Sequence, residues 1–292
     1  MCYDCHMELL ISMDRPIGLD RLKELRVDGI IARCKSFSFM GELSVDELVD
    51  LKKALEALDL DLYVDIDIMI EEGILARLDG YLELLKSLRP KGIYFSDLAV
   101  YRLALKKGMS EMLIYDPKTL LTNSLDAIFF LKKGLDSVVI ARELTLEEIR
   151  KIIKMTNGAI DMQVAGHIMM SYSKRKFVSD YLAYIGKPFK EDVSYAIKEE
   201  TRERQMMIKE TSFGTEIFSD HILFMPDEFK MIKDGLRHAI IEARYLDDRL
   251  LYDIIAVYQG SKDEDLLERY PDAYLEKGYL YDKTMIKKEE ER

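Results

Sequence analysis

The feature that most constrains this chain is an alternation repeated from its beginning: a short β-branched or apolar run, then an amphipathic helical segment, then another run. The runs at 8–12, 29–33, 61–65, 92–95, 111–115, 137–141 and 159–164 predict strands, and a late eighth stands at 238–242. Between them, helical spacing of apolar residues predicts helices over 18–25, 44–58, 74–88, 98–107, 124–133 and 145–155. Ser44 with Glu47, and Thr145 with Glu148, are capping boxes that satisfy the free amides of a helix start. Gly108 and Gly134 stand where helices need a residue that tolerates a left-handed backbone.

Strict alternation implies parallel strands joined by right-handed crossovers. Six or seven such units and a late eighth point to an α/β fold, a TIM-like (β/α) barrel. An open doubly wound sheet is the competing arrangement. The chain has 292 residues, 48% of them hydrophobic, enough for one barrel domain over 7–260. The alternation breaks between about 171 and 234. There 194–198, 205–210 and 215–219 alternate as strands, with Phe213-Gly214 as a hairpin turn. This predicts a small antiparallel β insertion between the seventh and eighth units, over the barrel mouth. Residues 261–292 form a charged C-terminal extension, frayed at its end unless the aromatic stretch 270–281 packs back on the body.

A formal net charge of -11 argues against a protein that coats nucleic acid, because phosphate binding rests on Lys and Arg, yet it leaves room for a local basic patch. No apolar run reaches the roughly eighteen residues of a membrane span, so no membrane partner is expected. Met1 to Glu8 lack an apolar run of signal-peptide length, and three cysteines suit a reducing compartment, so the expected location is the cytoplasm. Cys2-Tyr3-Asp4-Cys5-His6 matches the haem c attachment motif, but attachment requires export. A zinc site would need further ligands, with Cys34 the one thiol left, so no metal is expected and the domain is read as beginning at Met7.

Chemistry in a barrel belongs at the C-terminal ends of its strands. Those positions hold Asp14, Arg15, Arg33, Lys35, Asp65, Asp67, Ser96, Asp97, Asp116, Arg142, Glu143, Gln163, His167, Glu242 and Arg244. In a closed barrel they line one cup. Arg33, Arg142 and Arg244 carry most weight, since a guanidinium stays charged and its fork binds carboxylate or phosphate. A small polyanion would suit them; internal ion pairs with Asp65, Glu143 and Glu242 are the plainer reading. A second cluster, Ser171-Tyr172-Ser173-Lys174-Arg175-Lys176, has hydroxyls and cations for a phosphate backbone and a ring to stack on a base, or is a solvated surface. There is no Gly-x-Ser-x-Gly elbow, Gly-rich phosphate loop or His-Glu-x-x-His helix. Of four scattered histidines, His167 alone stands at a strand end of this set.

Arg142-Glu143-Leu144-Thr145-Leu146-Glu147-Glu148-Ile149 resembles the Arg-Glu-Leu-Ser-x-Glu-Glu-Ile segment of the collagenase-like peptidases, peptidase family U32. Tyr172-Ser173-Lys174-Arg175 after a glycine-bearing strand is similar to the family signature. Glu199-Glu200-Thr201-Arg202 with Gly214-Thr215-Glu216-Ile217-Phe218-Ser219 is similar to its hairpin region, and Ile241-Glu242-Ala243-Arg244 with Tyr258 to its closing segment. Asp97 and Asn123 fall where the family's first half has them. The sequence departs at the signature's His-Gly, where Ala165 precedes Gly166 and His167 is displaced. The cysteines that hold an iron–sulfur cluster in many members are absent as well: Met169 and Lys176 occupy two of their places. A cluster needs thiolates, so none is expected. The chain resembles the short, cysteine-free branch of Firmicutes-type bacteria, often encoded beside a longer paralogue.

The resemblance implies hydroxylation without oxygen, on tRNA wobble uridine, ribosomal RNA or ubiquinone precursors, with prephenate as hydroxyl source in the RNA reactions. It makes formation of 5-hydroxyuridine in tRNA the leading expectation, as enzyme or with the longer subunit. In that reading Arg33, Arg142 and Arg244 hold the anionic donor, Glu143 and Glu242 orient them, and Tyr172, Lys174 and Arg175 meet RNA at the rim. Asp97, Asn123, Gln163 and His167 complete the substrate-binding set. A peptidase is the second expectation, resting on His167, Glu143 and Asp97. A non-catalytic partner of the longer paralogue is the third.

Overall fold

The computed structural model describes residues 7–13, 15–191, 193–200, 203–261 and 266–282; the Cys2–His6 motif, Asp14, Thr201, Arg202 and the final charged run lie outside them. Seven strands follow one another in parallel: β1 (Glu8–Ser12), β2 (Gly29–Arg33), β3 (Asp61–Ile66), β4 (Gly92–Phe95), β5 (Leu113–Tyr115), β6 (Ser137–Val139) and β7 (Ile160–Ser173). After the insertion strands β8 (Tyr195–Ile197), β9 (Met206–Thr211) and β10 (Gly214–Phe224) comes β11 (His238–Glu242). It pairs in parallel with both β1 and β7 and closes the barrel, as the alternation predicted.

Alternation along each strand sorts its side chains between inside and outside. Leu10, Ile31, Tyr63, Tyr94, Ile114, Val139 and Ile240, one from each of seven strands, form the buried interior layer. Their neighbours, such as Leu9, Ile11, Ile30, Ala32, Leu62 and Val64, pack outward in the larger core. That core is shared with α1 (Leu19–Glu24), α2 (Val45–Ala57), α3 (Leu75–Leu88), α4 (Leu98–Lys106), α5 (Ser124–Leu131) and α6 (Leu146–Thr156). Both predicted capping boxes form, at Ser44 with Glu47 and at Thr145 with Glu148. The predicted strand at 111–115 begins instead as a tight turn, Ser110–Met112.

The largest departure from the sequence expectation is β7, which runs nine residues past the predicted 164. Its first part belongs to the barrel, pairing with β6 and β11; its second part pairs antiparallel with β10, from Ala165↔Phe224 to Ser173↔Thr215. Gly166 marks the change. Its φ is +100°, and a Cβ there would run into the carbonyl of Glu242, so only glycine lets β7 turn out of the barrel so close to β11. The insertion is therefore an outward continuation of the barrel sheet, β7-β10-β9-β8, which carries α7 (Phe177–Tyr184) on it. Buried Glu210 of β9 fixes α7 by accepting from the amides of Val178 at 2.7 Å and Ser179 at 3.1 Å.

Two further helices, α8 (Pro226–Ile232) and α9 (Asp248–Tyr258), flank β11, and a one-turn α10 (Leu266–Arg269) follows. The aromatic stretch packs back on the body: β12 (Leu275–Glu276) pairs with β10, while Lys277 and Tyr281 bond Glu228. Among the described residues no helix is long and apolar enough to cross a membrane.

Candidate active site

The barrel mouth gathers charges from the ends of β2, β3, β5, β6 and β11, with Gln163 from β7 and Glu216 from β10. Arg33 forks onto Glu242, with Nη1–Oε1 at 3.3 Å and Nη2–Oε2 at 3.0 Å. It also pairs with Asp65 at 3.3 Å and, through Nε, with Asp67 at 3.7 Å. Arg244 donates to Glu242 at 2.9 Å and to Glu216 of β10 at 3.4 Å, and its guanidinium lies 4.9 Å from the Phe218 ring centre. Arg142 forks onto Asp116 at 3.0 and 3.1 Å and donates from Nε to Gln163 at 3.2 Å. The Gln163 amide donates in turn to the carbonyls of Ala165, Gly166 and His167, satisfying the bend in β7. Lys118 closes this side, with Nζ 2.9 Å from Asp116.

Burial raises carboxylate pKa values and nearby cations lower them, and the cup shows both outcomes. Burial pushes Glu242 up, but Arg244 and Arg33 overcome this and hold it at about 2. Asp116 is held well below the usual carboxylate range by Arg142 and Lys118, again against burial. Burial wins at Asp65, pushed up to about 6, and at Glu216, pushed up to about 7. Among the described residues, Ser12 Oγ, Arg33 Nε, Asp65 Oδ1, Asp67 Oδ2 and Arg244 Nε are buried with no hydrogen-bond partner. Each such group costs about 1–3 kcal/mol, so five in one cup mark a place built to meet a polar ligand or water. The cup itself encloses about 20 Å³, room for one water.

A second cavity, of about 260 Å³, opens beside it and shares Asp67, Lys118 and Met169 with the cup. Tyr115 and Tyr172 line it with Met69, Met170, Ser96 and Asp97. A third, of about 440 Å³, lies between β10 and the C-terminal stretch, and holds His167 with Ser219, Tyr245 and Tyr274.

Of the sequence-predicted residues, Arg33, Arg142, Gln163, Glu242 and Arg244 meet in the cup. Asp97 and Tyr172 line the second cavity, where Asp97 also caps α4, accepting from Ala99 and Ile70 amides. Asn123 caps α5 and lines none of the three. Glu143 lines none either, and the partner of Arg142 is Asp116 rather than Glu143, because the Arg142 fork reaches the end of β5. His167 faces the third cavity, its Nδ1 3.0 Å from the Ser219 carbonyl, and burial lowers its pKa. Lys174 pairs with Glu71 at the rim, and Arg175 is exposed beside it. Sequence reasoning missed Lys118, which sits three residues past the end of β5 with φ +63°, and Glu216, contributed by the insertion. The one available signal for Glu216 was its place within the hairpin motif.

Arginine–carboxylate forks stand at the C-terminal strand ends, the face on which barrel folds place their chemistry, beside a larger pocket. The chain belongs to peptidase family U32, whose family model matches residues 21–288. A solved structure of a U32 peptidase superposes with a TM-score of 0.51, covering 83% of this chain and 95% of that one at 12% identity, a likeness of fold. The tRNA hydroxylation protein P2 of Bacillus subtilis is 25% identical over 200 residues, 67% of this chain and 65% of that protein. An Escherichia coli 23S rRNA 5-hydroxycytidine synthase is 28% identical over 150 residues, 49% of this chain and 22% of that protein. The matches thus span just under two thirds of the first relative and about a fifth of the second. The residues present do not fit the iron–sulfur cluster that the resemblance implies for many family members: Met169, which lines the cup, and Lys176, which is exposed, supply no thiolate.

Proposed function

We propose that this chain acts in hydroxylation of the wobble uridine of tRNA, with prephenate as co-substrate, alone or beside a longer paralogous subunit. The observation that carries the reading is the cup: two buried arginines and a half-buried third, two carboxylates raised toward neutrality and five polar atoms without a hydrogen bond, adjoining a ring-lined pocket. Two carboxylates of prephenate match guanidinium forks. The names of the two relatives, both concerned with RNA hydroxylation, support the same direction. Because the cup encloses about 20 Å³, donor entry requires Glu216 and Met169 to give way; both sit on the outward ribbon, away from the closed barrel wall.

RNA would approach over that ribbon. Arg175 and Lys176 are exposed there, and α7 presents Phe177, Tyr181 and Tyr184 to solvent, 48%, 61% and 88% exposed. Exposed rings beside cations are the usual means of gripping single-stranded RNA.

Nucleoside mass spectrometry of tRNA from cells with and without the gene tests this. Loss of 5-hydroxyuridine derivatives is expected, restored by the wild-type gene and not by Arg142→Ala or Arg244→Ala at equal protein level. An unchanged profile, in cells with no second copy, overturns it. The partner-subunit reading is favoured by one observation, that every cup arginine is already neutralised within the chain. Turnover by the isolated chain separates the two. For a peptidase, His167, Glu143 and Asp97 do not converge on one cavity.

A further inference from the structure

We infer that the 260 Å³ cavity beside the cup is a recognition pocket for a single unstacked pyrimidine, and that Asp67 and Ser96 select uracil over cytosine within it. The inference rests on the RNA reading for the source of the ring, while the pocket's chemistry argues for the ring itself. Two aromatic residues, Tyr115 and Tyr172, and the thioethers of Met69, Met169 and Met170 give the cavity a lining suited to a flat, polarisable group. Burial pushes the Tyr172 hydroxyl up to about 12, so its ring stays neutral at any physiological pH.

The polar groups on the wall are few and of definite sense. Asp67 spends Oδ1 on the Phe39 amide at 2.7 Å, and its buried Oδ2 has no hydrogen-bond partner among the described residues. Ser96 Oγ likewise has none. Lys118 lies at the boundary with the cup. Asp97, by contrast, is taken up by two backbone amides and is not free to read a ligand. What remains is a carboxyl acceptor, a hydroxyl and an ammonium. That set complements an N–H flanked by two carbonyls, the imide edge of uracil: the N–H would donate to Asp67 Oδ2, and the carbonyls would accept from Ser96 and Lys118. Cytosine presents a ring acceptor at the same position, which would face the Asp67 carboxylate. A base can reach such a pocket only out of its stack, as in a loop or by flipping. The same strand end that carries Tyr172 continues into the basic segment before α7, so the pocket opens where RNA would be held.

The test uses the full chain and an anticodon stem-loop RNA bearing one photoreactive 4-thiouridine, with the cross-linked peptide identified by mass spectrometry. Cross-links within 67–70, 115–120 or 169–172 are expected, competed by uridine-containing RNA about tenfold better than by the cytidine-containing equivalent. Asp67→Asn, which turns the Oδ2 acceptor, 3.7 Å from Arg33 Nε, into a donor, is expected to abolish or reverse that preference. Ser96→Ala is expected to weaken uridine RNA about tenfold at unchanged Tm, and carries the test if the Asp67 variant does not fold. Binding with cross-links confined to the His167 and Tyr274 cleft, or without preference between the two bases, overturns the inference and leaves the RNA reading standing. Absence of any RNA binding at low salt overturns both.

Discussion

Glu216 and Glu242 both accept from the guanidinium of Arg244, at 3.4 and 2.9 Å, yet they are displaced in opposite directions from an ordinary glutamate. Glu242 has the Arg33 fork and a bond from Arg244 and is held at about 2; Glu216 has one long bond, from Arg244, and is left at about 7 by burial. Glu216 therefore exchanges a proton nearest neutrality among the cup carboxyls, with Asp65 next at about 6. An anion entering the cup raises its pKa further, so the bound state keeps a proton that the free state releases. Binding then weakens as pH rises through about 7, by up to about tenfold per pH unit while one proton is linked. Calorimetric titration of prephenate at pH 6 and pH 8 is expected to show tighter binding at pH 6, with the dependence flattened in Glu216→Gln. An equal slope in both proteins would remove Glu216 from the linkage. At this scale the sequence was informative about charge and silent about partners. The three arginines are legible as strand-end residues, but the choice of Asp116 over Glu143 for Arg142 depends on where one fork reaches. The role of Lys118 depends on a left-handed backbone at a residue that is not glycine.

Elements were read well wherever periodicity and caps agreed. α2 and α6 start within a residue of their predicted capping boxes, and all eight barrel strands form. The reading failed where a segment obeys two environments. β7 is buried without a break as far as Gly166, keeps Ile168 and Met169 buried beyond it and is half-exposed or exposed from Met170 on, so its buried run ends before the strand does. α7 was lost in the same region because its exposed residues are aromatic, the reverse of a soluble helix face. That inversion is the argument for its role: large apolar rings left in solvent mark a contact surface when they cluster. Replacing Tyr181 and Tyr184 together by Ala is expected to weaken tRNA binding at least tenfold, on the scale of about 1–3 kcal/mol per stacked base. Thermal unfolding should be unmoved, since both rings are exposed. Equal RNA affinity in filter-binding or fluorescence titration would assign the stripe to some other contact.

The closed barrel ties its mouth to a second buried polar layer at its floor, which no motif indicated. His238 of β11 is fully buried, with Nδ1 2.8 Å from Asp161 of β7 and Nε2 3.2 Å from the Tyr63 hydroxyl of β3. Tyr94 of β4 donates to the same Asp161 at 2.8 Å, and Tyr63 donates to Glu8 of β1 at 2.8 Å. Five strands thus meet through one imidazole, on the seam where β11 closes the sheet. Sequence alternation predicts that a barrel closes; it cannot predict that the closing strand carries a charge shared with the strand beside it, because that pairing spans most of the chain. Burial lowers the His238 pKa, but Asp161 and Glu8 outweigh it and the net direction is upward. A pKa higher in the folded than in the unfolded state means stability that is complete below about 6.5, the unfolded value, and is lost as pH rises through the folded one. Urea midpoints measured from pH 6 to pH 8.5 should therefore fall with rising pH in the wild type. Glu216 and Asp65, whose pKa values are also raised, contribute to the same slope, but their share largely ends by about pH 8. In His238→Gln the decline above about pH 8 should disappear while the lower part persists. A variant that loses stability equally at every pH would show instead that the imidazole fills the barrel floor as a neutral hydrogen-bonding group.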